Sequence, residues 1–190
     1  MKIKTIQDTF IGEFKSLNSK FIAYLYPFDS KEKLAPIIAK LKKEHPKARH
    51  WCYAYRLGYE NEEYRANDDG EPNGTAGKPI LNQLYSHDVK NVLIVVVRYF
   101  GGTKLGVPGL IEAYKEAAHD ALNNAIFVFE DQKHETNCSM SMSKYYQIMP
   151  YIKKNNITII SEEIEANNIN LNVKGSKEEL DSLISIIKSF

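Results

Sequence analysis

Two glycine-rich stretches contain the residue types from which an anion-binding site could be built. The first, residues 68–81, reads DDGEPNGTAGKPIL and places three carboxylates close to a lysine. The second, residues 98–106, reads RYFGGTKLG and carries an arginine and a lysine. Glycine turns and helix N-termini present backbone N–H groups to anions, and Lys or Arg adds charge-assisted hydrogen bonds. The residues predicted to bind phosphate, carboxylate or RNA are Gly74, Thr75, Gly77, Lys78, Arg98, Gly101, Gly102 and Lys104.

The carboxylates of Asp68, Asp69 and Glu71 are open to three interpretations. Aspartate in a glycine-rich loop commonly caps the turn and the backbone that follows it. Alternatively, these side chains pair with Arg98 or Lys104 across the end of a sheet. In a third interpretation they form an acidic metal site that holds Mg²⁺ for a bound phosphate, because this ion prefers carboxylate oxygens. No other cofactor is predicted.

The glycine spacing matches no nucleotide-binding motif. A Walker A loop ending at Gly77 requires glycine at position 72, where Pro72 stands, and Gly102 with Gly106 does not fit GxGxxG. The alternative interpretation is that the glycines serve tight turns with positive φ and close backbone packing. No Ser-His-Asp or Cys-His arrangement is readable, and Cys52 lies in the middle of a predicted strand, where a nucleophile is poorly placed.

Regular elements are predicted on both sides of the glycine stretches. Residues 92–99 are apolar on both faces, as is typical of a central strand, and Arg98 near the end must pair or meet solvent or ligand. A helix is predicted over residues 109–123, and Pro79 suits the first position of another helix. Further strands are predicted over residues 21–26 and 50–57, and a further amphipathic helix over residues 34–41.

Two of these elements bear on binding. Lysines on the outer face of helix 34–41 are either solvated side chains or a partner-binding surface. His50, at the start of strand 50–57, is interpreted as a packed or hydrogen-bonded strand residue rather than a catalytic one. Lys and Arg outnumber Asp and Glu in residues 1–50, so a basic surface is compatible with this region. The net charge of the whole chain, +1, does not predict general nucleic-acid affinity.

A second pattern of elements follows the polar stretch 130–137. In order, it contains a strand, a helix, two hairpin strands and an amphipathic helix, over residues 138–143, 145–154, 157–164, 168–175 and 177–190. This βαββα order is a two-layer unit one strand short of a ferredoxin-like repeat. We therefore predict an α+β chain of two domains, residues 1–133 and 134–190.

The bulk properties indicate a soluble protein of a reducing compartment. Cys52 and Cys138 are far apart without a CxxC motif, so neither a disulfide scaffold nor a structural zinc site is expected. The N-terminus lacks the apolar core of a signal peptide, and the longest apolar run, residues 92–97, is too short to span a membrane. We expect a cytoplasmic protein without membrane association, and the oligomeric state stays open.

The quoted motifs carry a resemblance to a known family. DDGEPNGTAGKPIL followed by NVLIVVVRYFGGTKLGVPGLIEAY, with SKFIAYL and ARHWCYAYRL upstream, resembles the signature of the IMPACT/YigZ family over roughly residues 10–125. The remaining C-terminal residues resemble the second domain of bacterial members. One departure is Pro108, which stands where the family usually has glycine and removes one backbone N–H from the second glycine stretch.

The resemblance implies a fold for each domain. The first is expected to be the α/β sandwich shared by a ribosomal protein domain 2-like fold and domain IV of elongation factor G. The second is expected to be ferredoxin-like, similar to domain V of that factor. Eukaryotic IMPACT members act in translational control, where they restrain a stress kinase that phosphorylates an initiation factor by competing for its activator protein.

The leading functional hypothesis is a non-enzymatic binding protein linked to translation or its regulation. It would contact RNA, the ribosome or a protein partner. The alternative is an enzyme or binding protein for a phosphorylated small molecule, using the DDGEP/GTAGKP and RYFGGTKLG loops. Convergence of carboxylates and basic residues in a concave pocket would favour the alternative, and exposed Lys and Arg on an open face would favour RNA. Internal hydrogen bonds to Asp68 and Glu71 would make the signature mainly structural.

Overall fold

The computed structural model describes residues 2–59, 62–165 and 168–189. It divides into two compact units, one formed by Ile3–Glu130 and the other by Asp131–Phe190 together with the first two residues. Each unit combines helices and sheets, which agrees with the predicted mixed class. None of the helices in the described ranges combines the length and the apolar character that a membrane crossing demands.

The larger unit is built on a five-stranded antiparallel sheet. Its strands, in spatial order, are β2 (Phe10–Ser16), β3 (Ser19–Pro27), β6 (Val92–Tyr99), β4 (His50–Leu57) and β5 (Glu63–Asn67). Strand β6 is central and buried as far as Arg98, because it pairs with β3 on one side and β4 on the other. Two further strands, β1 (Lys2–Ile6) and β7 (Phe127–Asp131), form a separate two-stranded sheet.

Helices cover both faces of the five-stranded sheet. On one face, α2 (Gly77–Ser86) and α3 (Gly106–Asn123) pack over a core that includes Cys52. On the other face, α1 (Leu34–Glu44) packs over a core that includes Tyr53. Neighbouring residues of β4 thus point to opposite faces, as the period of a strand requires, and both faces are buried. This arrangement brings the end of β6 and the start of β4 under the first turn of α3.

Two details of the helices differ from the prediction. Helix α2 begins at Gly77 instead of Pro79, because the carboxylate of Asp68 accepts hydrogen bonds from the backbone there and completes an earlier helix start. Helix α3 also begins earlier than predicted. On its buried face Ala113 is fully buried, whereas the neighbouring apolar residue Ile111 is 38% exposed.

The smaller unit has one three-stranded sheet and two helices. Its elements, in chain order, are β8 (Lys133–Ser141), α4 (Met142–Lys154), β9 (Thr158–Glu165), β10 (Asn168–Ser176) and α5 (Lys177–Ser189). Strand β10 pairs antiparallel with both others, which gives the order β8-β10-β9. Alternate β10 side chains, Ile169, Leu171 and Val173, are buried in a core shared with both helices. The predicted order of elements, βαββα, is the one observed.

Candidate functional site

Asp68 organises the first glycine loop and the start of α2. One of its carboxylate oxygens accepts hydrogen bonds from the backbone N–H groups of Ala76 (3.0 Å) and Gly77 (2.8 Å), and the other accepts from Gly74 (2.9 Å). A helix N-terminus leaves such N–H groups without intrahelical partners, and a negative charge there interacts favourably with the helix dipole. The first glycine loop therefore contains its own anion.

Asp69 holds the same loop against β4. Its carboxylate accepts a hydrogen bond from the N–H of Trp51 (2.7 Å), and its carbonyl oxygen accepts one from Nδ1 of His50 (2.8 Å). Both aspartates therefore serve the backbone, which is the capping interpretation of the acidic residues. The described residues contain no group of three His, Cys, Asp or Glu side chains placed to hold a metal ion.

Glu71 is placed differently, because it pairs with Arg98. Its Oε1 accepts hydrogen bonds from Nη1 of Arg98 (2.6 Å) and from the hydroxyl of Tyr114 (2.7 Å). The side chains of Glu71 and Arg98 are only 4% and 7% exposed. Strand register sets His50 directly opposite Arg98, and Nε2 of His50 lies 3.9 Å from the same Glu71 oxygen. The ion-pair interpretation is thus the one that fits Glu71.

Cys52 and Tyr114 connect these two groups of contacts. The Cys52 sulfur lies 2.9 Å from the Asp68 carbonyl oxygen and 3.3 Å from the Tyr114 hydroxyl. Burial raises the pKa of the Cys52 thiol and the pKa of the Tyr114 phenol, so both groups stay protonated near neutral pH. A buried, protonated thiol is a poor nucleophile, so Cys52 is a structural residue here.

Glycines are used in the same two ways in both loops. A Cβ atom on Gly77 or Gly101 would lie 2.5 Å or 2.1 Å from backbone atoms of neighbouring segments, so both positions require the absence of a side chain. Gly74 and Gly102 have φ values of 75° and 86° with open space around them. Positive φ favours glycine, so the tight-turn interpretation applies to both loops.

Several of the predicted ligand groups already have partners within the chain. The Thr75 hydroxyl donates to the carbonyl oxygen of Pro72 (2.7 Å), and the N–H of Gly101 donates to a serine hydroxyl of β3 (3.1 Å). Lys78 is exposed on the first turn of α2. Thr75 and Gly101 therefore use these groups within the chain, whereas Lys78 lies at the surface.

A cavity of about 500 Å³ opens where β4 and β6 meet the start of α3. Most of its lining is apolar, and pockets of this volume accept small organic ligands. The polar and aromatic side chains that line it are Arg49, His50, Glu71, Arg98, Phe100 and Lys104. Arg49 and Phe100 were not among the residues predicted from the sequence, and His50 was predicted to be a packed or hydrogen-bonded strand residue. The predicted residues Arg98, Lys104 and Glu71 do come together here.

The first turn of α3 also borders the cavity. Leu105, Gly106 and Val107 contribute to its lining, and the N-cap residue Leu105 has no side-chain hydrogen bond to the turn. The first turn contains no acidic residue. Next to it, Nε of Arg98 is buried without a hydrogen-bond partner among the described residues. Unlike the start of α2, this helix start faces open space and basic side chains.

Comparison with known proteins places both loops and the cavity inside a family domain. The model of the Impact N-terminal domain matches residues 17–122. The IMPACT family member YvyE of Bacillus subtilis is 41% identical over 120 residues, which is 63% of this chain and 55% of YvyE. The IMPACT family member YigZ of Escherichia coli is 41% identical over 116 residues, 60% of this chain and 56% of YigZ. The chain thus matches little more than half of the length of these relatives.

The likeness in structure extends over nearly the whole chain. A crystal structure of a hypothetical protein superposes with a TM-score of 0.80 at 28% sequence identity. The superposition covers 97% of this chain and 90% of that one. Both compact units therefore have counterparts in a solved structure.

Proposed function

Because the chain belongs to the IMPACT family, we propose that it is a non-enzymatic binding protein linked to translation or its regulation. The observation that carries this proposal is the pair of exposed cations, Arg49 and Lys104, beside the start of α3. The contacts of Asp68, Asp69 and Cys52 support a protein without catalytic activity. Both carboxylates accept hydrogen bonds from backbone N–H groups, and the thiol is buried. The expected partner is RNA, the ribosome or a protein, in the cytoplasm.

The expected fold names belong to the same proposal. For the smaller unit, the order β8-β10-β9 beneath two helices supports a ferredoxin-like fold that lacks its last strand. For the larger unit, a sheet covered on both faces supports the sandwich expected from domain IV of elongation factor G. Two folds of translation components would suit a partner within the translation apparatus.

A second candidate is an enzyme or binding protein for a phosphorylated small molecule. The concave shape of the cavity favours it, because Glu71, Arg98, His50 and Lys104 converge there instead of lying on a flat surface. Residues of the same cavity would carry either function. An experiment must therefore separate a macromolecular partner from turnover of a small molecule.

Binding to a structured ribosomal RNA fragment and to ribosomes, each at two salt concentrations, tests the proposal. The variant is Arg49→Ala with Lys104→Ala, which removes two cations and leaves the buried pair of Arg98 and Glu71 intact. We expect the wild-type protein to bind more tightly at low salt, and the variant to bind more weakly with a shallower salt dependence. A control with Lys78→Ala and Lys188→Ala removes the same charge elsewhere.

Three outcomes would contradict parts of this proposal. Equal losses in the variant and its charge-matched control would mean that net charge, and not the cavity, determines binding. Turnover of a phosphorylated compound that disappears in the Arg49→Ala, Lys104→Ala variant would contradict the non-enzymatic part and establish the second candidate. Absence of binding at low salt would remove RNA and the ribosome as partners.

A further inference from the structure

We infer that the cavity at the start of α3 binds a nucleotide, with its phosphate at the first turn of α3 and its base against Phe100. The inference rests on the proposed function, because it names the chemistry that the same site would recognise. The shared chemistry is a phosphate joined to a planar base. A free nucleotide and a nucleotide within single-stranded RNA both supply it.

The N-terminus of α3 has neither a side-chain cap nor an acidic residue in its first turn. Backbone N–H groups of Gly106, Val107 and Gly109 lie in the first turn of α3, where a helix has no internal acceptors for them. Pro108 has no N–H, so fewer donors are present than in an ordinary first turn. The turn lacks both a capping side chain from Leu105 and an acidic residue, and it borders the cavity. Such a helix end favours an anion.

A buried arginine lies beside that helix end. Arg98 is 7% exposed, it lines the cavity, and its Nε has no hydrogen-bond partner among the described residues. Nε itself is buried, so an anionic ligand in the cavity would meet the small exposed part of the Arg98 side chain and its positive charge. The arginine is already positioned by its bond to Glu71, so it loses little freedom when a ligand binds.

The charged side chains that line the cavity are mostly basic. Glu71 is the carboxylate in its lining, and its Oε1 already accepts from Arg98 and Tyr114. Arg49 and Lys104 are exposed and line the same cavity, so they add two positive charges beyond the paired arginine. Two exposed cations beside a helix N-terminus suit a phosphate, which carries more charge than a single carboxylate.

An exposed aromatic ring, that of Phe100, also lines the cavity. Phe100, the residue before the glycine pair, is 51% exposed. It lines the same cavity as the apolar residues Val107 and Leu110. The guanidinium carbon of Arg98 lies 5.7 Å from the centre of its ring. Aromatic side chains next to basic residues are the standard platform on which nucleobases stack. Phosphate-binding groups and a stacking surface therefore occur together in one cavity.

Titration of the full chain with four probes tests the inference. The probes are adenosine 5′-monophosphate, adenosine, inorganic phosphate and a short single-stranded oligoadenylate. We expect the monophosphate to bind more tightly than adenosine or phosphate alone. Lys104→Ala should weaken the monophosphate about tenfold, as loss of a charge-assisted hydrogen bond does. Phe100→Ala should weaken the monophosphate and leave the affinity for inorganic phosphate unchanged.

The matched control is Lys78→Ala, at the helix start that Asp68 already caps. It removes a lysine beside a glycine loop but away from the residues lining the cavity, so affinity should not change. If the monophosphate fails to bind and the oligonucleotide binds with the same dependence on Lys104 and Phe100, the source is RNA and the inference stands. If neither nucleotide binds, or Lys78→Ala weakens binding as much as Lys104→Ala, the inference is overturned.

Ribosome binding, measured on the same preparations, separates this inference from the proposed function. Cavity-dependent binding to ribosomes without binding of either nucleotide would leave the proposed function intact and remove the nucleotide. Thermal melting of each variant shows whether it is folded. Equal affinity for adenosine 5′-monophosphate and inorganic phosphate would also overturn the inference, because the base would then contribute nothing.

Discussion

The N-termini of α2 and α3 are built alike and completed differently. Each follows a glycine loop in which one glycine touches neighbouring backbone and another has positive φ. At α2, the Asp68 carboxylate accepts the backbone N–H groups of the turn. At α3, the first turn faces a cavity lined by Arg49, Arg98 and Lys104. A glycine loop before a helix is therefore expected to bind an external anion only where the chain does not supply the anion itself.

Glu71 shows that the two regions still depend on each other. It belongs to the first glycine stretch, yet its carboxylate pairs with Arg98 beneath the second. In the first glycine stretch, Asp68 thus caps the N-terminus of α2, and Glu71 positions Arg98 at the second glycine stretch. One acidic stretch performs both tasks, which accounts for its density of carboxylates without a metal ion.

The largest effect is expected when the link between the regions is broken by Glu71→Ala. This change leaves Arg98 buried without its anionic partner and removes the acceptor of the Tyr114 hydroxyl. We expect the free energy of unfolding to fall by about 4 kcal/mol, as for other buried pairs that lose one member. Urea denaturation followed by fluorescence of Trp51, the single tryptophan, measures it in the larger unit.

Glu112→Ala is the control for this change, because Glu112 is an exposed carboxylate of α3 that pairs with Lys115 at the surface. Its loss should cost no more than about 0.5 kcal/mol. A similar cost for both variants would contradict the view that Glu71 and Arg98 form a buried, interdependent pair.

The next effect concerns the glycines that the two loops have in common. Gly101→Ala should lower the free energy of unfolding by about 3 kcal/mol, because a Cβ would meet backbone atoms at 2.1 Å. Gly102→Ala should cost about 1 kcal/mol, because its φ of 86° is unfavourable for alanine but the space is open. Gly77→Ala and Gly74→Ala should repeat this order in thermal and urea denaturation. A reversed order in one loop would show that the loops are not built alike.

The third effect separates the two helix starts. Asp68→Ala removes an acceptor of three backbone N–H groups, so the free energy of unfolding should fall by about 2 kcal/mol. Asp68→Asn keeps one acceptor oxygen and should cost roughly half as much. Nucleotide affinity should be unchanged in Asp68→Asn, because the cavity lies at the other helix start. A parallel loss of affinity would mean that the two starts act as one site.

The sequence predicted the elements better than the contacts of the site. The central strand was predicted correctly because its apolar run is long, and Arg98 stood out as a charge at its end. The roles of Asp69 and Glu71 were undetermined, because their partners, Trp51 and Tyr114, are distant in the chain and supply a backbone N–H and a hydroxyl.

Other parts of the fold carried too weak a pattern to be predicted. Strand β5 has the sequence EYRAN and is almost entirely exposed, so it shows no apolar alternation and pairs with β4 only at the sheet edge. Phe100 and Arg49 became candidates only when the structure showed that they line one cavity. The position of Phe100 before two glycines is visible in the sequence. Its exposure is not, because it depends on the path that the chain takes through the turn.

The smallest change in stability is expected when a carboxylate is introduced at the N-terminus of α3, as Asp68 provides one at the N-terminus of α2. The same change is expected to weaken nucleotide binding strongly. Val107 is 52% exposed in the first turn of α3 and lines the cavity. Val107→Glu places a carboxylate at the positive end of the helix dipole, which should raise the free energy of unfolding by about 0.5 kcal/mol. The same carboxylate should compete with a phosphate, so affinity for adenosine 5′-monophosphate should fall at least tenfold.

Val107→Gln provides the matched control, because it has nearly the same shape and no charge. If the charge is decisive, Val107→Gln should retain most of the nucleotide affinity and gain less stability than Val107→Glu, and added salt should reduce the difference between the two variants. Equal affinities of both variants would mean that the α3 N-terminus does not contact the phosphate. The two helix starts would then differ only in how their N–H groups are solvated, and the cavity would have to select its partner through Arg98, Lys104 and Phe100 alone.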